Sequence, residues 1–435
     1  MKSRAILEPR LMRIAVLTAA LQDVVPRDQQ RQDPKGSALI AALKWIEVAK
    51  MLGFDLQLSA ALALADAYVP PEAMLDPVAH HVPLRTMSAT EGEDLSEADA
   101  QTIIAACGNR VKICDLGFFE NLLHPVDAIR EKIHAHLLRV ARAAKLLVPV
   151  GCGGVTGFIG RDPTRDLDQN VASFESLVIP LLQQIKALGL NYWIENCPMP
   201  GWNTTDTYVN NIAYCPGMWL KLLAIAEKYG VDDMLHITYD ESHDILMGST
   251  HAQSFAAVAA AGHPQLINRF HGKNQYVNHA ARALWNVRGQ GIDLGCRIDG
   301  QPHPDPAKQG GAWGVMTCNH GMIGLGHYNP VAQVLGYEAD WLDHQVAARE
   351  VLGLDPVDTY FILEHEWGNN RVQDWTRIIQ MLSISVRFIR GIDAAADALS
   401  VSKVFCDSFQ IPLPGTPNPA YVIAGLAEAA KKIMA

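Results

Sequence analysis

The chain has 435 residues, 49% of them hydrophobic and 19% charged, which suits a globular protein of one large domain or two ordinary ones. A formal net charge of -10, with acidic residues interspersed rather than blocked, argues against nucleic-acid binding, which needs a basic face, and fits a small neutral or polar substrate. Eight scattered cysteines without C-x-x-C pairs fit reduced thiols rather than a zinc knuckle or disulfide scaffold, and no apolar stretch reaches the ~18 residues of a bilayer span, so a cytoplasmic protein with no membrane partner is expected.

In chain order, short apolar, β-branched runs alternate with helical patterns, the form of repeated βα units around a parallel sheet. Residues 14–21 follow Arg10 and Arg13 as a signal-peptide core would, but 13–18 read more naturally as a first strand. A helix follows with Leu39, Leu43, Ile46 and Ala49 on one stripe and Gly53 closing it, then a strand over 54–58. The polar stretch 70–98 reads as a long loop and 111–116 as the next strand. Asp127 opens a helix with Ile129, Ile133, Leu137 and Val140 on one side; residues 146–150 read as a buried strand, with Gly151, Gly153 and Gly154 turning the chain after it. Further on come a helix over 170–188 that Pro180 should kink or divide, a strand over 192–195, a helix over 217–229 ending at Gly230, and a strand over 235–239. A strand over 266–271, a glycine-rich segment over 279–328, a helix over 340–352 and a strand over 359–363 complete the rhythm.

Eight such units are the plan of a closed (β/α)8 barrel, which takes ~250 residues. The whole chain, 1–435, is therefore expected to be a single barrel domain with insertions at about 70–100 and 279–328 and a C-terminal extension over about 392–435. An open doubly wound sheet is the alternative, but its Gly-x-Gly-x-x-Gly is broken at Thr156, so no nucleotide cofactor is expected.

Four of the strands end in chemistry: Trp193-Ile-Glu195-Asn, Ile237-Thr-Tyr-Asp240-Glu-Ser-His243, Ile267-Asn-Arg-Phe-His271-Gly-Lys273 and Phe361-Ile-Leu-Glu364-His-Glu366. In a barrel, strand tips meet whatever the separation along the chain, so Glu195, Asp240, His271 and Glu364 are expected to converge. Three carboxylates and one imidazole form an oxygen-rich shell that suits Mn²⁺ first, with Mg²⁺ or Co²⁺ as substitutes, and disfavours a thiolate-type zinc site. Such a cation can polarise the carbonyl of a sugar and stabilise the enediolate left when a neighbouring C–H proton is removed. Glu195 and Glu364, on strands expected to face each other across the mouth, are the natural acid/base pair. His243, Lys273 and Glu366 are the candidate substrate contacts. Trp202, Trp313 and Trp367 read as packing residues, as does Cys197; His80, His81, His303, His320 and His327 read as loop residues.

On these segments the sequence resembles the xylose isomerase-like barrel superfamily, specifically the sugar phosphate isomerase/epimerase group with its ketose 3-epimerases, hydroxypyruvate isomerase and inosose dehydratase. The resemblance runs over about 13–391 and is carried by Ile194-Glu195-Asn-Cys-Pro, by Asn211-Ile-Ala-Tyr-Cys-Pro-Gly-Met-Trp219 leading to Tyr239-Asp240-Glu-Ser-His243, by Phe270-His271-Gly-Lys273-Asn274, and by Leu335-Gly-Tyr337 with Ile362-Leu-Glu364-His-Glu366. Asn274 stands where the group often has Asp. The resemblance implies Glu195, Asp240, His271 and Glu364 as metal ligands, His243 as a substrate contact, and the two glutamates as acid and base in a divalent-metal-dependent isomerase or epimerase of a ketose, inosose or related carbonyl compound. A lyase, dehydratase or hydrolase on the same site is the runner-up, and a non-catalytic sugar-binding protein the third reading. An abasic-site endonuclease fits poorly: 111–116 and 146–150 supply no extra His, and the acidic balance opposes DNA. The expected partner is a small sugar or polyol-derived molecule, with homo-oligomerisation left open.

Overall fold

The computed structural model describes residues 12–18, 34–59, 94–198, 209–240, 243–244, 249, 251–272, 359–364, 382 and 386. Among them eight short strands, β1 (Met12–Leu17), β2 (Asp55–Ser59), β3 (Ile113–Phe118), β4 (Gly154–Gly157), β5 (Asn191–Glu195), β6 (Leu235–Asp240), β7 (Ile267–Gly272) and β8 (Thr359–Leu363), pair in parallel in chain order, and β8 pairs back onto β1. The closed (β/α)8 plan expected from the sequence is the one observed. Closure leaves no unpaired edge, and parallel neighbours require a crossover, which helices supply in each connection from β1 to β7.

Strand periodicity sorts the side chains. Tyr192 and Ile194 of β5, Ile237 and Tyr239 of β6, Phe270 of β7, and Phe361 and Leu363 of β8 join the large core under the helices. Alternate positions point into the barrel, where Ala15, Leu17, Cys114, Tyr360 and Ile362 form a separate small cluster. Two ladders carry an irregularity. Leu56 pairs with Ile113 but Gln57 with Asp115, which leaves Cys114 extra in β3; Ile237 pairs with Ile267 but Thr238 with Arg269, which leaves Asn268 extra in β7. Such bulges re-aim the residues that follow, here Asp115 and Arg269.

The helix α1 (Pro34–Leu52) buries Ala38, Ala41, Ala42, Trp45, Ile46 and Ala49. Ile46 and Ala49 thus lie on the stripe expected of them, Leu39 flanks it, and Trp45 fills its centre. Gly53 ends the helix at φ 76°, its N–H bonded to the Ala49 carbonyl at 2.7 Å. The next helix, α2 (Glu97–Cys107), is absent from the sequence reading, which runs a loop to residue 98. Ser96 caps it by accepting the Asp99 N–H at 3.1 Å, and Ala100, Ile103 and Cys107 form its buried stripe. In α3 (Asp127–Leu146), Ile133, Leu137 and Val140 are buried as expected.

The fourth strand needs correction. Residues 146–150 complete α3 and then form a 3-10 turn, Val148–Val150, in which Pro149 has no N–H to give a ladder. The strand begins at the last of the three glycines, Gly154. At Gly154 a Cβ would strike the Asn191 backbone and at Gly157 the Phe118 carbonyl, so the glycines allow β4 to pack closely between β3 and β5.

Pro180 divides its helix as expected: α4 (Leu167–Ser173) passes through a π turn, Phe174–Val178, into α5 (Ile179–Ala187), which opens at that proline. Next, α6 (Pro216–Lys228) is followed by Gly230 at φ 63°. A further helix the sequence reading omits, α7 (His251–Ala260), buries Phe255 and Val258. The insertions at 70–93 and 279–328, the helix over 340–352 and the extension from 392 lie outside the described residues. No helix among the described residues is long and apolar enough to cross a membrane.

Candidate metal centre

Glu195 and Asp240 are the last residues of β5 and β6, His271 is the penultimate residue of β7, and Glu364 follows β8 with its N–H still bonded to the Gly272 carbonyl at 3.0 Å. Asp240 and His271 are direct partners across the β6–β7 ladder. All four therefore stand at inward positions on the C-terminal mouth of the barrel, and all are buried, Glu364 most exposed at 6%. One donor atom from each lies within 4.8 Å of the others.

Within the cluster the acids and bases interleave. His271 Nδ1 is 3.4 Å from Glu195 Oε2 and 3.4 Å from Glu364 Oε2. His243, three residues beyond the end of β6, places Nε2 3.2 Å from Glu195 Oε1 and 3.3 Å from Asp240 Oδ2. The sequence sets the two glutamates on strands expected to face each other across the mouth; in the ring of eight their strands are one place short of opposite. Their strands, β5 and β8, are three places apart in the ring, and the carboxylates meet around the intervening His271.

Two bare carboxylates ~4 Å apart repel by roughly 4 kcal/mol even at an effective dielectric of ~20, so three in one buried site need a counter-charge. Burial pushes the Glu195 carboxyl up, but the charge of His271 close by and the hydrogen bond from His243 outweigh burial and the nearby Glu364, and hold it below the usual carboxylate range. Burial likewise opposes a charge on His271, and the Glu195 and Glu364 carboxylates reverse that and raise it.

The donor set fits a divalent cation. His271 Nδ1 is buried and makes no hydrogen bond of acceptable geometry, an orphaned state that costs about 1–3 kcal/mol when nothing else satisfies the atom. It faces two carboxylates at a spacing that leaves room between them rather than closing a charge-assisted hydrogen bond, for which about 2.7–2.9 Å is usual. Three oxygen donors and one imidazole suit Mn²⁺ or Mg²⁺.

Residues absent from the sequence reading hold this arrangement in place. Asn196 accepts the Asp240 N–H at 2.8 Å and donates to the Asp240 carbonyl at 3.0 Å and to Asp244 Oδ1 at 3.2 Å, locking the ends of β5 and β6 together. Asn211 donates to the carbonyls of Glu195 and Cys197 at 3.0 and 2.9 Å. Asp244 also accepts from the Tyr239 hydroxyl at 2.9 Å and from Ser254; burial, only partly offset by these bonds, raises its carboxyl to about 6. Below the mouth, His271 Nε2 meets Gln57 Oε1 at 2.9 Å, and Gln57 Nε2 donates to Asp115 Oδ1 at 2.6 Å. Phe119 presents its ring edge-on to His271 and packs on Phe158, centroids 6.2 and 5.3 Å apart. Gln57 carries a visible mark in sequence, a polar side chain set between Leu56 and Leu58.

Cys197 is buried against Phe158, as its packing reading expects, and none of the five described cysteines is in a disulfide. Lys273 and Glu366 lie outside the described residues, as do Trp202, Trp313, Trp367, His80, His81, His303, His320 and His327.

No family model and no curated protein matches the chain. Among solved structures it is similar to the D-psicose 3-epimerase of Clostridium cellulolyticum H10 solved with D-tagatose, at 11% identity over 88% of this chain and 99% of that one, TM-score 0.47. It is also similar to the 3-keto-D-glucoside 4-epimerase YcjR of E. coli, at 12% identity over 87% and 99%, TM-score 0.44. A third is the probable 3-DHS dehydratase AsbF of Bacillus anthracis, at 12% identity over 86% and 99%, TM-score 0.46. At these scores the barrel assignment rests on its own strand pairing.

Proposed function

We propose that the chain is a divalent-metal-dependent isomerase or epimerase of a ketose, inosose or related polyol-derived carbonyl compound, with Glu195, Asp240, His271 and Glu364 holding the cation. The observation that carries this reading is the convergence of those four buried donors at the mouth of the barrel, around a His271 Nδ1 that has no hydrogen bond of its own. Mn²⁺ is the first choice, with Mg²⁺ and Co²⁺ as substitutes. When bound there, the ion polarises the substrate carbonyl and stabilises negative charge developing on its oxygen.

The chain's own residues supply the rest. Glu195, kept ionised by its two histidine neighbours, is ready to take a proton from the carbon beside the carbonyl, and Glu364, on the other side of His271, is placed to return one. His243 reaches both Glu195 and Asp240 and can hold a substrate hydroxyl against them. Lys273, two residues past His271, is the candidate partner for an oxyanion, and Glu366 a further substrate contact. Burial of the cluster excludes water, which strengthens each of these interactions.

A lyase reading has one observation in its favour. Glu120, two residues beyond β3 on the same face of the barrel, is buried, and burial raises its carboxyl to about 8, so at neutral pH it keeps a proton that a leaving hydroxyl could take. Incubating the Mn²⁺-loaded protein with a panel of ketoses and inososes in D₂O separates the outcomes. Deuterium at a carbon next to the carbonyl is the expected result; an unsaturated or cleaved product indicates the lyase, and no exchange with any of them contradicts the isomerase.

A further inference from the structure

We infer that Gln57 and Asp115, on strands that contribute none of the four donors, select the ring tautomer of His271 and so make Nδ1 its ligand atom; this rests on the metal-centre reading above.

The argument starts from what each group can donate. Asp115 is fully buried beside the guanidinium of Arg269, whose Nε is 3.4 Å from Asp115 Oδ2 and whose plane lies between the rings of Trp193 and Tyr360, 4.4 and 4.7 Å from their centroids. A carboxylate only accepts hydrogen bonds. The Gln57 nitrogen must therefore face it, as the 2.6 Å Gln57 Nε2 to Asp115 Oδ1 contact has it; the opposite rotamer would set the Gln57 carbonyl against the carboxylate. That leaves Gln57 Oε1 pointing at His271 Nε2, 2.9 Å away. An amide oxygen can only accept, so Nε2 carries the proton and the lone pair of a neutral His271 is on Nδ1, the atom turned towards Glu195 and Glu364.

The bulge in β3 makes the chain of bonds possible. With Cys114 as the extra residue, Asp115 comes directly opposite Gln57; without it, the pairing begun at Leu56 and Ile113 would put Cys114 there and leave the amide free to rotate. Gln57 and Asp115 are positioning residues, and their effect on a cation is exerted through His271.

The test uses the full-length protein and Mn²⁺, with free Mn²⁺ followed by electron paramagnetic resonance. Gln57→Leu removes the acceptor that holds the Nε2 proton. Asp115→Asn keeps the shape but offers an amide donor, which lets Gln57 turn its own nitrogen towards His271 and favours the wrong tautomer. Both variants should bind Mn²⁺ about 10–100-fold more weakly than the wild type. A long-range ¹H–¹⁵N spectrum of the Mg²⁺-saturated wild type, with the His271 signals identified by their loss in His271→Asn, should show Nε2 protonated and Nδ1 bare, and this readout stands even if a variant fails to fold. Protonation at Nδ1, or unchanged Mn²⁺ affinity in both folded variants, overturns the inference while leaving the metal centre intact. A wild-type protein that binds no Mn²⁺ overturns both.

Discussion

Around His271 the proposed chemistry depends on single protons. Glu364→Gln keeps the volume and a carbonyl donor but cannot return a proton, so turnover should fall by about 10²–10⁴-fold in steady-state assays with whichever ketose or inosose shows exchange. Glu120 gives a stability prediction with a definite sign. Its carboxyl, raised by burial from 4.5 to about 8, keeps its proton in the folded protein over a range where the unfolded chain has lost it. The folded state therefore binds more protons between those values, so this residue makes stability fall as pH rises through the window and level off above about 8. Glu120→Gln should flatten that part of the pH profile, read as the midpoint of thermal unfolding. The four donors were legible in the sequence because each is a polar residue closing an apolar run at a strand tip. Asn196, Asn211, Gln57 and Asp115 were not, because their roles lie in bonds across strands, to Asp240, Glu195 and His271, that no spacing along the chain reveals.

Among the elements, α2 and α7 are the two the sequence reading omits, and both are small-residue helices. Alanines make up much of their length and their buried stripes are short, Ala100, Ile103 and Cys107 in one and Phe255 and Val258 in the other, so the apolar period is faint. What marks α2 is its start: Ser96 followed by Glu97 and Asp99 is a cap with an acidic first turn. Ser96→Ala should cost about 1 kcal/mol in urea unfolding, within the usual 0.5–2 kcal/mol for a lost cap. The opposite error, a strand placed at 146–150, has the same root. An apolar run of that length suits either a strand or a helix end, and Pro149 decides against the ladder. Seven of the eight strands were nonetheless placed within a few residues, because buried parallel strands need near-continuous apolar runs.

At the scale of the whole molecule, one line of polar contacts runs through the barrel interior, from Arg269 to Asp115, to Gln57, and on to the His271 cluster at the C-terminal mouth. Placing function at that end follows from the closed parallel barrel, in which strand tips from distant parts of the chain become neighbours. The central claim is that this mouth holds a divalent cation, and removing the ion should also lower the unfolding midpoint, since a ligand that binds only the folded state stabilises it. The most direct measurement is the metal content of the purified full-length protein before and after EDTA, followed alongside turnover. One bound divalent cation, lost with EDTA together with activity and restored with it by Mn²⁺, is the predicted result. A metal-free protein that still turns over its substrate in EDTA would contradict the account.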